Sequence, residues 1–373
     1  MINPEVLIKL IDRLDSYPVG LPDGAEIREF LNIFLTADEA YLASIFPFKE
    51  VSPAELAERS GWAPAKVETT LEAMAEKGTV VDFRLKEGAA YWLLTPSVVG
   101  FIEFSLMKVR KDLPMEKLAG LLEAYETGSL YKEVFGSKTP ITRALPGLDV
   151  PVSSQIMTTA EIERLIRAAG GGSAQACYCR HKKHLLGKSC AIAPHLDTCF
   201  TIGRTGADFL VRRGFGVRIS ADEMIGRVRA LGKLGLIHVT DNIRNKPSFI
   251  CNCCGCCCGL LRGITEKKIP HAVAPTAYIL KINGALCTGC GRCAAKCQIK
   301  AISIKGKKAN VDAANCLGCG SCIKFCQSGA LGLVTRGRPP KTPKNGTAKF
   351  LRIAYEKGKL PAMAWQMLKS RFR

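Results

Sequence analysis

The sequence lacks any uninterrupted apolar run of the roughly 20 residues that a membrane-spanning helix needs. Aromatic residues make up only 7% of its 373 residues, so the composition gives no sign of a lipid-facing surface. The first residues also lack the basic start, apolar middle and small-residue cleavage site of a secretory signal peptide. We therefore expect a cytoplasmic protein, in which cysteine thiols stay reduced.

Cysteines and acidic residues are each scarce in part of the chain. Residues 1–150 contain none of the 18 cysteines and have a formal net charge of −7. Residues 151–330 contain all 18 and have a net charge of +17, and residues 331–373 have one acid and a net charge of +10. So many cysteines in a reduced chain indicate metal binding or redox chemistry before disulfides. The basic surroundings would balance thiolates bound at a metal centre.

The sequence of the acidic first part predicts three helices followed by a hairpin. Ser52 is the predicted N-cap of the second helix, Glu55 completes a capping box, and Gly61 ends the helix. The third helix is predicted over 64–77, and alternating residues predict strands over 79–85 and 90–94, joined by a turn at 86–88.

This order of elements resembles a winged helix-turn-helix domain, and the resemblance implies DNA binding. The third helix, however, carries Glu68, Glu72 and Glu76, whereas contact with phosphate requires basic residues. We therefore expect a structural or partner-docking role for this domain, without nucleic acid as a partner.

The strongest motif is a duplicated run of cysteines. Each cysteine of the first run recurs 29 residues later, in the sets Cys287, Cys290, Cys293, Cys297 and Cys316, Cys319, Cys322, Cys326. A loop of the form C-x2-C-x2-C can wrap three thiolates around three corners of an iron-sulfur cube, with a fourth thiolate from elsewhere.

Residues 278–334 are similar to the bacterial two-cluster ferredoxin domain, and short strands are predicted over 278–282 and 301–304. The resemblance implies that the fourth cysteine of each run binds the cluster of the other run. One [4Fe-4S] cluster would then be bound by Cys287, Cys290, Cys293 and Cys326, and the other by Cys316, Cys319, Cys322 and Cys297. The residue after the fourth cysteine is usually proline in such ferredoxins. Here it is Gln298 and Gln327, whose side chains could alter the cluster potentials.

Ten cysteines remain, and four of them lie within 23 residues: Cys177, Cys179, Cys190 and Cys199. We predict that these four bind a third [4Fe-4S] cluster, with nearby cations as its counter-charges, namely Arg180, Lys182, Lys183 and Lys188. Zinc is the main alternative, because imidazole ligands are available from His181, His184 and His195. A third interpretation is that these are buried structural cysteines.

The last six cysteines fall within eight residues: Cys251, Cys253, Cys254, Cys256, Cys257 and Cys258. Neighbouring side chains diverge, so we expect this Cys block to complete a centre with thiolates from elsewhere. Its two Cys-Cys-Gly triplets resemble the motif of heterodisulfide-reductase-type subunits, which implies a reactive metal centre. Together with the twin runs, these motifs resemble ferredoxin-type proteins of anaerobes, and that resemblance implies electron transfer.

The last part of the chain is basic. Residues 335–341 resemble the Arg-Gly-Arg-Pro core of minor-groove AT-hooks, and the alternative is a proline-rich basic linker. Residues 348–355 and 361–372 predict amphipathic basic helices. Such a tail would suit an acidic protein partner or peripheral contact with an anionic membrane.

The sequence therefore predicts an α+β, multidomain protein. Its four predicted parts are a winged-helix-like domain over 1–150, a Cys-rich metal-binding domain over 151–275, a two-cluster ferredoxin domain over 276–334 and a basic tail over 335–373. The predicted function is relay of low-potential electrons to or from a partner oxidoreductase. The alternatives are a reductase with its own metal centre on the Cys block, and a redox-sensing DNA-binding regulator.

Overall fold

We describe a computed structural model of the chain, covering residues 1–84, 90–148, 150, 160–193 and 195–369. Helices and several small sheets make up this part of the chain, in agreement with the predicted α+β class. Within the described residues, no helix is long and apolar enough to cross a membrane.

Up to residue 135, the described part of the chain forms helices and one hairpin. The elements are α1 (Pro4–Asp15), α2 (Ala25–Phe34), α3 (Ala37–Ser44), α4 (Pro53–Ser60), α5 (Pro64–Lys77), β1 (Val80–Arg84), β2 (Ala90–Leu94), α6 (Ile102–Ser105), α7 (Met115–Tyr125) and α8 (Tyr131–Phe135). The hydroxyl of Ser52 accepts the N–H of Glu55, and Gly61 ends α4 in the left-handed conformation, as predicted. The turn predicted at 86–88 lies outside the described residues.

Acidic residues of α5 and β1 form ion pairs with the Cys-rich region. Glu72 on α5 forms an ion pair with Arg213, and Asp82 on β1 pairs with both Arg212 and Arg213, at 2.6 Å and 3.1 Å. The winged-helix identity of this region stays a prediction, and its acidic side chains make contacts within the chain.

A six-stranded antiparallel sheet forms the middle region, in the order β3-β7-β8-β5-β4-β6. Its strands are β3 (Thr142–Ala144), β4 (Gly172–Gln175), β5 (Cys199–Ile202), β6 (Gly216–Ile219), β7 (Ile237–Asp241) and β8 (Phe249–Cys253). The helices are α9 (Ala160–Ala169), α10 (Tyr178–Leu185), α11 (Arg204–Arg212), α12 (Ala221–Lys233) and α13 (Gly259–Thr265). Strand β3 belongs to this sheet, although its residues fall in the first predicted domain.

One apolar core covers a face of this sheet. Ile162 and Ile166 of α9 and Val228 of α12 are fully buried there against Phe200 of β5 and Ile250 of β8. This packing fixes the central strands β5 and β8, and both carry cysteines.

Two short antiparallel pairs frame the twin cysteine runs. Strand β9 (Tyr278–Ile282) pairs with β12 (Leu331–Thr335), and β10 (Ile302–Lys305) pairs with β11 (Lys308–Val311). In the sequence, α14 (Arg292–Lys296) lies between β9 and β10. The strands that we predicted over 278–282 and 301–304 are therefore present, to within one residue.

The basic tail forms α15 (Gly346–Glu356) and α16 (Leu360–Lys369), and several of its cations point into the protein. Lys349 is 3% exposed and its ammonium lies 3.3 Å from Asp241. Lys357 and Lys359 both pair with Glu133 of α8, at 2.5 Å and 2.7 Å. The guanidinium of Arg336, in the segment that resembles an AT-hook, donates to the carbonyls of Thr276 and Cys316.

Candidate metal centres

The first ferredoxin site is a small cavity of about 20 Å³. Four thiols line it, from Cys287, Cys290, Cys293 and Cys326. Cys287 and Cys290 come from the loop before α14, Cys293 lies in α14, and Cys326 comes from the other run. The N–H of Ala309 donates to Cys287 Sγ over 3.4 Å. The structure thus brings together the four residues that the resemblance grouped, and four sulfurs with an N–H donor suit an iron-sulfur cluster.

The second ferredoxin site lies deeper in the protein. One apolar core contacts three of its cysteines, namely Cys297, Cys316 and Cys319. Burial raises the pKa of Cys319 to about 12, with further contributions from the thiols of Cys297 and Cys316. Burial also raises the pKa of Cys322, with contributions from the same neighbours. Buried thiols of this kind ionise when a bound cation stabilises the thiolate, so the residues fit a metal centre.

Four thiols outside the two ferredoxin sites lie close together. We name them the four-thiol group, and its members are Cys190, Cys254, Cys256 and Cys257. All four sulfurs lie within 4.8 Å of one another. The sulfur of Cys190 is 3.5 Å from that of Cys254 and 3.8 Å from that of Cys256, and the sulfurs of Cys256 and Cys257 are 3.6 Å apart. The chain turns sharply after β8, which lets three cysteines of the Cys block converge on one side.

The spacing of the four-thiol group fits one metal ion. Tetrahedral coordination with metal–sulfur bonds of about 2.3 Å places the sulfurs roughly 3.8 Å apart. A four-iron cube holds its thiolates farther apart, because each binds a different corner. The ferredoxin sites illustrate this, since within the described residues their sulfurs form no group as close as the four-thiol group. The donor set thus suits zinc or a single iron ion.

The other six extra cysteines form what we name the six-thiol group. Its members are Cys177, Cys179, Cys199, Cys251, Cys253 and Cys258. The sulfurs of Cys199 and Cys251 are 3.6 Å apart, because these residues are register partners on β5 and β8. The contacts continue from Cys251 to Cys253, then to Cys258, Cys179 and Cys177. Six thiols exceed the four that one [4Fe-4S] cluster uses.

The structure divides the ten extra cysteines differently from our prediction. Cys190, which we grouped with Cys177, Cys179 and Cys199, lies instead in the four-thiol group. The loop between α10 and β5 carries Cys190 to the turn after β8, whereas Cys199 is the first residue of β5 and is paired within the sheet. The Cys block contributes to both groups, as expected for a segment that completes centres with thiolates from elsewhere.

The three histidines considered as zinc ligands are not members of the four-thiol group. His181 is buried, and its Nδ1 lies 2.7 Å from the carbonyl oxygen of Leu106. His184 and His195 are exposed. The sulfurs alone make up the four-thiol group, so zinc remains compatible with it through a four-cysteine site.

Arg180 is the predicted counter-charge that lies against the thiols. It is 3% exposed, donates to the carbonyl of Asn252 over 2.9 Å, and lies close to Cys177, Cys190 and Cys254. Its Nε is buried without a hydrogen-bond partner. A buried donor left over beside thiols fits an anionic group held between them.

The neighbouring lysines bind carboxylates instead. Lys182 is 1% exposed and contacts Glu123, at 2.8 Å, and Glu126, both from the N-terminal region. Burial acts to raise the pKa of Glu123, but the hydrogen bond and charge of Lys182 and the charge of Arg262 prevail and lower it to about 2. Lys183 pairs with Glu123 at 3.2 Å, and Lys188 is exposed. No sequence pattern identified Glu123 and Glu126, because they are ordinary acidic residues at the end of a helix.

A cavity of about 360 Å³ lies against the six-thiol group and is lined by all six of its cysteines. Its other walls come partly from the N-terminal region and partly from the middle region, including Cys254 and Cys257 of the four-thiol group. The N-terminal region therefore takes part in the site directly.

The Cys block also contacts the ferredoxin segment. The N–H of Gly255 donates to the side-chain oxygen of Gln298 over 2.9 Å, and Gln298 directly follows Cys297. Cys253 and Cys258 share a core with Ile299 and Leu317, against which Cys297, Cys316 and Cys319 also pack. The six-thiol group and the second ferredoxin site thus both border a single apolar core.

Comparison with known proteins identifies one segment. Residues 286–330 match the family model of the 4Fe-4S dicluster domain. The chain is an iron-sulfur protein. The match covers both cysteine runs of this iron-sulfur protein, and it indicates binding of [4Fe-4S] clusters and electron transfer in general. No curated protein and no solved structure matches the chain.

Proposed function

We propose that this iron-sulfur protein relays single low-potential electrons between a partner oxidoreductase and a metal centre on its own six-thiol group. The observation that carries the proposal is the shared apolar core, which contains Cys253 and Cys258 and contacts cysteines of the second ferredoxin site. A short, dry path between two metal centres is what electron transfer within a protein requires.

The proposed cofactors follow from the donor sets. The twin runs bind two [4Fe-4S] clusters, with the cross-ligation that the ferredoxin resemblance implies. The six-thiol group binds a further iron-sulfur cluster, and the unpaired Nε of Arg180 donates to it. The four-thiol group binds one zinc ion, which holds the turn of the Cys block in shape.

The proposed partner is an acidic redox protein that docks beside the first ferredoxin site. Cys290 is exposed there. Two exposed cations lie near it, since Arg292 follows Cys290 by two residues and the backbone of Lys307 lies against Gly289. A basic face around an accessible cluster steers an acidic partner toward it. In the basic tail, which we also expected to suit an acidic partner, Lys349 and Lys357 contact Asp241 and Glu133.

The N-terminal region has a scaffold role in this proposal. Its Glu72 and Asp82 contact Arg213, and its Glu123 and Glu126 contact Lys182, so its acidic residues hold the Cys-rich region. We therefore do not propose the DNA-binding regulator.

The duplication provides a matched test of the relay. Gln298→Ala removes the hydrogen bond to Gly255, whereas Gln327→Ala changes the corresponding exposed residue of the second run. After rapid chemical reduction, freeze-quench electron paramagnetic resonance would follow electrons from the ferredoxin clusters to the six-thiol centre. We expect slower transfer in the Gln298→Ala protein and wild-type transfer in the Gln327→Ala protein. Equal rates in all three proteins would contradict the proposed route.

A second candidate function is a reductase whose substrate reacts at the six-thiol group. The cavity of about 360 Å³ beside these thiols favours it, since a simple relay has no need of such a space. Cys251→Ser separates the two functions. A reductase with this change loses substrate turnover and keeps the ferredoxin signals. In a relay the same change stops only electron transfer to the six-thiol centre, and the ferredoxin clusters still exchange electrons with the partner.

A further inference from the structure

The cavity beside the six-thiol group is larger than an iron-sulfur cluster requires. The first ferredoxin site, which has the four thiols for one cluster, encloses about 20 Å³, whereas this cavity measures about 360 Å³. Volumes of roughly 300 to 1,000 Å³ are typical of small-molecule sites. The cavity therefore has room for a ligand in addition to a metal centre.

Most of the side chains that the N-terminal region contributes to the cavity are apolar. Ile102, Phe104 and Met107 come from α6 and the residues after it, and Leu130 and Val134 come from the segment that leads into and through α8. These side chains belong to the N-terminal core, so packing holds the walls in place. A rigid apolar wall favours an apolar ligand, because the ligand leaves water without losing hydrogen bonds.

The carboxylates at the cavity already have partners. Glu103 accepts the N–H of Gly100 over 2.9 Å, and Glu126 accepts hydrogen bonds from the hydroxyl of Tyr178 and from Lys182.

Two of the three cations that line the cavity, Arg262 and Lys267, are occupied in the same way, and the third, Arg180, lies against the thiols, where the proposed cluster takes its free Nε. Arg262 pairs with Glu123, at 2.9 Å, and with Glu266, and Lys267 donates to the carbonyl of Thr127. A charged ligand would lack a counter-charge among these groups, which disfavours its burial.

A strained turn lies at the edge of the cavity. Val99 has φ 58° and ψ 47°, in the left-handed region that β-branched residues avoid, and its side chain is 45% exposed. The carboxylate of Glu103 holds this turn through the N–H of Gly100. Backbone strain of this kind is concentrated at ligand sites, where surrounding contacts maintain it.

We propose that this cavity binds a small, uncharged, predominantly apolar molecule beside the six-thiol group. The inference deepens the reductase candidate by naming the class of its ligand. Its test measures binding alone, so it can fail separately from the electron-transfer proposal.

The experiment uses the full chain, purified without oxygen, and the uncharged apolar probe 6-propionyl-2-(dimethylamino)naphthalene in equilibrium dialysis. We expect one probe molecule to bind per chain. Val134→Trp fills the cavity and should weaken binding by about tenfold or more, which corresponds to about 1.4 kcal/mol. Val217→Trp, at a side chain that is 59% exposed on β6, is the matched control and should bind the probe like the wild type.

Iron content and circular dichroism identify a variant that has failed to fold. If the Val134→Trp protein does not fold, Val81→Phe, at another wall of the cavity, is used as the second variant. The proposal is overturned if the wild type binds no probe, or if folded Val134→Trp and Val81→Phe proteins bind it as tightly as the wild type does.

Discussion

The backbone N–H of Gly255 donates a hydrogen bond to the side-chain oxygen of Gln298 over 2.9 Å. Gly255 lies between two cysteines of the four-thiol group, and Gln298 follows a cysteine of the second ferredoxin site. Proline, the usual residue at this position of two-cluster ferredoxins, has no side-chain acceptor for such a bond. The departure from the ferredoxin pattern thus coincides with the contact that joins the two metal-binding regions.

Gly255→Ala should weaken the docking of the Cys block on the ferredoxin segment. A Cβ atom at this position would lie 2.2 Å from the backbone oxygen of Gln298, so the two segments would have to separate. We expect the free energy of unfolding to fall by about 1–3 kcal/mol, measured by anaerobic urea unfolding. Gly284→Ala is the control, because nothing lies within 4 Å of its added methyl group. Equal stability of the two variants would show that the contact is loose.

Cys190→Ser and Cys199→Ser should have different effects on metal content. The structure places Cys190 in the four-thiol group and Cys199 in the six-thiol group. We expect the Cys190→Ser protein to lose zinc and keep its iron, and the Cys199→Ser protein to lose iron and keep its zinc. Metal analysis of the anaerobically purified proteins measures both.

The same comparison tests our first grouping of these cysteines. If Cys177, Cys179, Cys190 and Cys199 bound one cluster, the two variants would lose the same metal in the same amount. That result would contradict the division into two thiol groups.

The buried imidazole of His238 should make stability depend on pH. His238 is 2% exposed, its Nδ1 lies 2.7 Å from Asn252 of the Cys block, and burial lowers its pKa to about 4. Below about pH 6.5 the unfolded chain binds a proton at this residue and the folded chain does not, so stability is lost as the pH falls toward 4.

Between pH 7.5 and 5.5 we expect a loss of about 1 kcal/mol from this residue, measured by unfolding at both pH values. His238→Gln should reduce the pH dependence, and His184→Gln, at an exposed residue, should leave it unchanged. An identical pH dependence in the wild type and the His238→Gln protein would show that His238 does not contribute.

Local features of the fold could be predicted from the sequence because short-range chemistry determines them. Ser52 and Gly61 mark the ends of α4 through capping and the left-handed conformation, which depend on a few neighbouring residues. The strands beside the twin runs followed from alternation, and the metal-binding function of the runs followed from cysteine spacing.

The grouping of the extra cysteines could not be predicted in this way. Cys199 meets Cys251 because β5 and β8 are neighbours in the sheet, and the register of two strands separated by about 50 residues is a property of the whole domain. The cavity was missed for the same reason, since its walls at Phe104 and Leu130 come from a region without any cysteine.

The most direct test of the account is the iron, acid-labile sulfide and zinc content of the full chain purified without oxygen. Two ferredoxin clusters and a cluster on the six-thiol group predict roughly 12 iron per chain, with one zinc. Roughly 8 iron would leave the six-thiol group without a cluster and contradict the proposed relay. A colourless protein, or zinc in the twin runs, would contradict the account as a whole.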